Sequence, residues 1–266
     1  MKIRVTVLMA IYNCSDTLEE ALNSLINQTF KGFKIILCDD CSTDDTYMIA
    51  KKYAKKYNNI KLIRNKKNLK LAACLNKCLN FADTEYVARM DGDDISLPSR
   101  FEKQLNYLDN NQDYVIVSCP MIYFDESGDW GFGKCNLFPS FNDFKMGTPH
   151  PHAPSMMKTS VLKEVGGYTD SIKTVRVEDY YLWYKIYKAG YKGYNLQEHL
   201  YKMRDDQKAI KRRTFKARYN EFKIKSEVIK DLGFSFPILY TIPIIIKMFV
   251  PKLLMTIIRK KMIKIN

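Results

Sequence analysis

Short runs of β-branched and apolar residues alternate with helix-compatible segments along the first 120 residues, and this alternation constrains the fold more than any other feature. The runs are IRVTVLM (3–9), FKIILCD (33–39), IKLIR (60–64), EYVARM (85–90) and YVIVSC (114–119), with starts 30, 27, 25 and 29 residues apart. Residues 16–28, 44–57, 69–82 and 98–109 between them read as helices, the first opened by Asp16 with Glu19 three residues on, the last with Pro98 in its first turn. Strand, helix, strand at this period requires right-handed crossovers, so an α/β fold with a mostly parallel sheet flanked by helices is expected. Ligands of such sheets bind beyond the carboxyl ends of the strands.

Those ends carry chemistry. Ala10, Ile11, Tyr12 and Asn13 follow the first strand, Asp39, Asp40, Cys41 and Ser42 end the second, and Asp91, Gly92, Asp93 and Asp94 follow the fourth. For Asp39 and Asp44 a turn or capping role is sufficient. The MDGDD cluster is different, because adjacent carboxylates repel unless a cation sits among them. An all-oxygen cluster suits a hard divalent ion such as Mg²⁺ or Mn²⁺, and that ion would in turn suit a diphosphate.

Other phosphate-binding devices are missing. Gly32 is the single glycine in the first 90 residues, so neither a GxxxxGK[ST] loop nor a GxGxxG fingerprint is available, and hydride chemistry on a dinucleotide fold is disfavoured. His150 and His152 match no zinc spacing with Cys135. The Gly- and aromatic-rich stretch FDESGDWGFGKCNLF reads as a hairpin or lid over the sheet edge. Glu178 and Asp179 open a helical segment, EDYYLWYKIYKAG; the helix dipole explains one acidic residue there, leaving the other to face a cleft as a base. Trp183, one turn on, reads as core in preference to a wall of the acceptor site.

Of the net charge of +14, the last 66 residues carry most, with 17 Lys and Arg against 5 Asp and Glu. A balanced body with a basic tail argues against nucleic acid as a partner and for a tail that meets an anionic surface. The uncharged run LGFSFPILYTIPIII (232–246), broken afterwards by Lys247, Pro251 and Lys252 and followed by RKKMIK, is too short to cross a bilayer. It fits a helix lying in the membrane interface better than the alternative, a helix pair packed on the body or on a second subunit in a homo-oligomer. Seven cysteines, an odd number at no disulfide-framework spacing, indicate a reducing compartment. No signal-peptide pattern precedes Asn13, so a cytoplasmic protein, peripheral at the inner face of the cell membrane, is expected.

Five motifs then occur in order: VTVLMAIYN; FKIILCDDCSTDDT; LAACLNKCLNFADTEYVARMDGDDISLPSRFEKQ; HAPSMMKTSVLKEVGGY; and EDYYLWYKIYKAG. Together they resemble the family 2 glycosyltransferases with the GT-A fold, over about residues 3–205. The resemblance implies a nucleotide-sugar donor, a divalent metal (Mn or Mg) and an inverting single displacement. It also implies a domain at 1–205, with a nucleotide-binding half at about 1–118 and an acceptor half at about 119–205; the basic, amphipathic helical tail read from the charge pattern follows at 206–266.

Carried over position by position, the resemblance implies that Ala10, Ile11 and Tyr12 face the base, with Asp40 accepting from its N–H. Asp91 and Asp93 correspond to the two carboxylates of a DxD motif, Asp91 near the ribose and Asp93 on the metal. Gly92 lies between them on the donor side, and Asp94 is a hydrogen-bond partner for the sugar. Asn76 and Arg89 approach the donor, Asp179 corresponds to the general base, and Glu178, Trp183 and His152 lie on the acceptor side. Ala10, Cys41 and Asp45 stand where the family often has Pro, Gly and Gly, and none of these changes removes a charge the chemistry needs. Some members carry a metal-binding His about 25 residues after the base. KMRDDQ occupies that stretch here, with Asp205 and Asp206 but no His, which leaves the distal metal ligand open. The absence of a QxxRW pattern points to one sugar per encounter.

The expected activity is therefore transfer of one sugar from a nucleotide sugar, with UDP as the expected nucleotide, to a lipid-linked or lipopolysaccharide- or capsule-type glycan. A sugar-nucleotide-binding scaffold without turnover is the alternative. A haloacid-dehalogenase-like phosphatase, whose acidic pair follows the first strand, ranks further behind.

Overall fold

The structure is a computed structural model and describes residues 2–206, 214–250 and 261. Of the expected basic tail, residues 207–213, 251–260 and 262–266 lie outside the described residues, including Pro251, Lys252 and all of RKKMIK except Lys261.

The first half follows the expected alternation: Val5–Ile11 (β1), Leu18–Ile26 (α1), Phe33–Asp39 (β2), Thr46–Lys56 (α2), Ile60–Arg64 (β3), Lys70–Asn80 (α3) and Tyr86–Asp91 (β4). Then come Ile95–Ser96 (β5), Arg100–Asn110 (α4), Tyr114–Ser118 (β6), the hairpin Ile122–Asp125 (β7) and Gly128–Phe132 (β8), and a 3₁₀ turn at Phe141–Lys145. The chain continues with Met156–Lys158 (β9), Thr159–Glu164 (α5), Glu178–Lys188 (α6), Lys192–Asn195 (β10), Tyr201–Arg204 (β11), Phe215–Asp231 (α7) and Pro237–Phe249 (α8).

Seven strands form the central sheet in the order β10-β6-β9-β4-β1-β2-β3. All neighbours are parallel except β9, which runs antiparallel between β4 and β6. Apolar residues of β1 and β2 alternate between the two faces with the period of two that a strand dictates. Val5, Val7, Met9, Ile35 and Leu37 pack with α1, α2 and α4 on one side. Leu8, Ile36 and Cys38 pack with α3, α5 and α6 on the other. The hairpin joins β5 and β11 in a second, four-stranded sheet beside the strand ends.

Two local expectations are corrected. Asp16 does not cap α1: Thr17 precedes the helix, and no side chain caps it. Pro98 precedes α4 instead of opening it, because its carbonyl accepts the N–H of Thr29 at 2.9 Å and Ser99 holds the N-cap position. In the C-terminal extension, Ile224, Val228 and Ile229 of α7 are buried in the same core as Tyr180, Leu182 and Trp183 of α6.

Candidate active site

The register of the sheet brings the strand ends together. Ala10 pairs with Cys38 on one side and Asp91 on the other, and Ile11 pairs with Asp39, so the loops after β1, β2 and β4 emerge side by side. Gly92 allows the acidic turn to lie against them. A Cβ there would meet Cys14 Sγ at 2.8 Å and Ile11 Cγ2 at 3.2 Å, a closer approach than a side chain tolerates.

Two adjoining cavities open at this edge. One, of about 420 Å³, is lined by Ala10, Ile11, Tyr12, Asp40, Asp91, Gly92 and Asp93. The other, of about 450 Å³, is lined by Arg89, Asp91, Asp93, Asp94, His152, Glu178 and Asp179. Asp91, Asp93, Arg176, Glu178 and Arg204 border both. The acidic turn and the start of α6, 85 residues apart in sequence, thus share one chamber.

Beneath the turn lie two buried arginines. Arg89 Nη2 pairs with Asp91 Oδ1 at 2.6 Å. Arg100 Nη2 donates to the Arg89 carbonyl at 3.0 Å, and burial lowers its guanidinium to about 10. The Asp91 amide donates to Tyr201 Oη at 3.2 Å. Asp94 is buried and accepts the backbone N–H of Arg204 at 2.8 Å, while Arg204 Nε donates to the Asp93 carbonyl at 3.0 Å. Burial, then Asp93 and Asp91, push the Asp94 carboxyl well above the usual carboxylate range. The part of that shift due to Asp93 and Asp91 is like-charge repulsion that a cation would relieve.

At α6, burial raises Asp179 to about 6; the Tyr180 N–H donating to Oδ1 at 2.8 Å opposes the shift and Glu178 adds to it. Burial also raises Glu178. A carboxyl titrating near 6 suits proton abstraction close to neutral pH. His152 hydrogen-bonds Tyr168 Oη through Nε2 at 2.8 Å, and burial followed by Arg89 holds it neutral.

Not every expected site residue stands free to meet a ligand. Asp40 borders the first cavity, but its oxygens accept the N–H groups of Leu69 and Lys70 and the amide of Asn65, bracing the start of α3. Asn76 borders neither cavity: its side chain accepts from Tyr168 N and donates to Tyr168 O, a two-bond clasp between α3 and the loop after α5. Trp183 is fully buried, donates to the His150 carbonyl at 3.1 Å, and belongs to the core, as preferred for it. His150 is a satisfied core histidine, held by Asn195 Oδ1 and Tyr187 Oη and lowered by burial to about 4. Asp39 and Asp44 are turn residues: Asp39 accepts from Ser42 N and pairs with Arg64, and Asp44 accepts from Ser15 N and Thr46 N.

The KMRDDQ stretch, whose part in metal binding the sequence left open, also reaches the site. Asp205 borders the second cavity and Asp206 the first. Asn13, Lys70 and Arg176 line the first cavity with φ of 47°, 74° and 73°, and Cys41, next to Asp40, has 63°. Left-handed backbone at non-glycine residues costs about 1–3 kcal/mol each and gathers where the surroundings enforce it, commonly at functional sites. Cys41 stands where the family often has Gly, the residue such an angle favours; Lys70 and Arg176 carry no comparable signal.

Among the described residues, no three His, Cys, Asp or Glu side chains form a ready-made metal cage. A hard divalent ion that works on phosphates is commonly held by one or two carboxylates plus the substrate's own oxygens, so the crowded oxygen donors of residues 91–94 fit such an ion.

The profile of Glycosyl transferase family 2 matches residues 6–166. The chain is 46% identical over 213 residues to the putative glycosyltransferase EpsE of Bacillus subtilis (strain 168), covering 80% of this chain and 77% of that one. It is 30% identical over 191 residues to an Escherichia coli protein, the UDP-Glc:alpha-D-GlcNAc-diphosphoundecaprenol beta-1,3-glucosyltransferase WfaP, covering 72% and 73%. Among solved structures, S. aureus TarS 1–349 in complex with UDP-GlcNAc superposes with a TM-score of 0.70 at 20% identity, over 85% of this chain and 66% of that one. That likeness establishes the GT-A architecture.

Proposed function

The chain belongs to glycosyl transferase family 2, and from that premise we propose that it moves one sugar, with inversion, from a UDP-sugar to a lipid-linked glycan acceptor. The observation that carries the reading is the shared chamber of the 91–94 turn and Asp179. The donor's base and ribose occupy the side lined by Ala10, Ile11 and Tyr12, with Asp40 at its wall. Asp93, with Asp91, would hold a Mn²⁺ or Mg²⁺ ion, which when bound would supply Lewis-acid stabilisation of the departing diphosphate. Arg89 keeps Asp91 oriented, and Asp94, tied to Arg204, fixes the turn to β11.

The sugar then lies between the turn and α6. Asp179 takes the proton of the acceptor hydroxyl as the oxygen attacks the anomeric carbon and the bond to the diphosphate breaks. Attack from the face opposite the nucleotide inverts that centre. General-base help of this kind contributes about 10²–10⁴-fold. The choice of UDP and of a lipid-linked acceptor is supported by relatives such as WfaP, whose name specifies both. Among the described residues no helix is long and apolar enough to cross a membrane. The exposed Ile238, Ile242, Ile246 and Phe249 of α8 support attachment at an anionic membrane surface, on the inner face of the cell membrane.

The test is a screen of UDP-sugars for Mn²⁺-dependent turnover, repeated with Asp93→Asn and Asp179→Asn. Both variants are expected to lose turnover by 100-fold or more (about 10²–10⁴ for the base), and EDTA is expected to abolish it in the parent. A protein that loses only metal-dependent UDP affinity at Asp93, with Asp179→Asn indistinguishable from the parent, is a binder and not an enzyme.

A further inference from the structure

A third cavity, of about 380 Å³, lies under the C-terminal helices and has no part in the donor chemistry above. It shares Asp179, Arg176, Arg218 and Glu221 with the chamber of the acidic turn, so the two meet at the proposed base. Five cations, Lys145, Arg176, Arg218, Lys225 and Lys247, line it against the carboxylates Asp179 and Glu221. Several of these charges are engaged: Arg218 pairs with Glu221 at 2.6 Å, and the Lys145 ammonium sits 4.0 Å from the centre of the Phe234 ring.

Lys225 is different. It is 7% exposed and lines the cavity beside Glu221. Burial pushes its pKa down, Glu221 opposes the shift and Lys247 adds to it. A desolvated ammonium gains from each anion brought beside it, so an anionic ligand would add to the pairing that Glu221 already provides. The remaining wall is apolar, made by Leu239, Tyr240, Pro243 and Ile244 of α8. From the mouth at Leu239, itself 56% exposed, an apolar stripe continues outward through Ile242, Ile246 and Phe249. A buried cationic seat opening onto an exposed apolar track matches a molecule with a compact anionic head and a single hydrocarbon chain.

We infer that this cavity seats the diphosphate of a lipid-linked acceptor, with Lys225 and Lys247 meeting the diphosphate and the hydrocarbon chain lying along α8. The inference rests on the glycosyl-transfer reading and adds the acceptor's binding subsite to it. A lipid diphosphate is favoured over an ordinary bilayer headgroup because the cavity opens onto Asp179: a sugar carried on a diphosphate in this seat extends toward the carboxyl that must receive its proton. A phospholipid headgroup gains nothing from that continuity.

The test is calorimetric titration of geranyl diphosphate into the full-length chain with the donor pocket saturated by UDP and Mn²⁺. Binding by the parent chain, and at least tenfold weaker binding by Lys225→Met and by the half-exposed Lys247→Gln, are the expected results; Lys247→Gln keeps the test decisive should Lys225→Met fail to fold. UDP affinity, measured on the same samples, is expected to stay unchanged in both. Absence of geranyl diphosphate binding in the parent, or equal binding in the variants, overturns the inference. So does equally tight, equally variant-sensitive binding of dihexanoylphosphatidylglycerol, which marks a headgroup site. Loss of UDP binding or UDP-sugar turnover in the parent strikes the glycosyl-transfer reading instead, so the two failures are distinguishable.

Discussion

Replacing Asp179 with Asn should make this protein more stable at alkaline pH while removing its activity. The carboxyl titrates at about 6 in the folded chain against an ordinary 3.8. Between those values the folded state holds a proton that the unfolded state has released, so stability falls as pH rises through that window, and above about pH 6 the full cost remains. A shift of this size corresponds to about 3 kcal/mol at 1.36 kcal/mol per unit; because Asp179 borders an open cavity, screening brings the expected figure to about 2 kcal/mol. Asn keeps an oxygen for the Tyr180 N–H that now donates at 2.8 Å, so the isosteric change removes the charge and leaves that contact. Guanidinium unfolding of parent and Asp179→Asn at pH 4 and pH 8 measures it: the variant should lead by about 2 kcal/mol at pH 8 and by little at pH 4. In the parent, log kcat/KM should climb with unit slope up to about pH 6 and then level off, since only the ionised carboxylate accepts a proton. A variant no more stable than the parent at pH 8, or a lead that does not shrink on acidification, refutes the assignment of a desolvated base at Asp179.

Two further outcomes are expected. Gly92→Ala would drive a methyl to 2.8 Å from Cys14 Sγ, which should destabilise the chain by about 1–3 kcal/mol and displace the acidic turn, read as a lower unfolding midpoint together with weaker UDP binding. Asn76→Ala removes both bonds to Tyr168 and should cost about 1–3 kcal/mol in unfolding while leaving the KM for the donor unchanged; a raised donor KM at unchanged stability would restore the donor role first expected of Asn76.

The elements of the nucleotide half were legible because their signals are local. A period near 28 residues, β-branched runs and the direction of crossovers dictate a parallel sheet, and a sheet of that kind delivers Asp40 and Asp91–Asp94 to one edge. The general position of Asp179 at the head of a helix was equally readable. Cap details were not: Asp16 and Pro98 carry the right chemistry one or two residues from where the helices begin, and the Thr29 amide decides the second case.

What only the tertiary structure decided is which distant residues meet. The placing of β9 between β4 and β6, the Asn76 clasp on Tyr168, the left-handed Arg176 and the seating of α7 in the core each join segments far apart in the chain. Sequence alone determined the elements and the chemistry at their ends, since periodicity and residue type are properties of neighbours. The pairing of the 91–94 turn with Asp179, and of Lys225 with an apolar track, comes from packing, whose energy depends on shape complementarity between surfaces that no local pattern encodes.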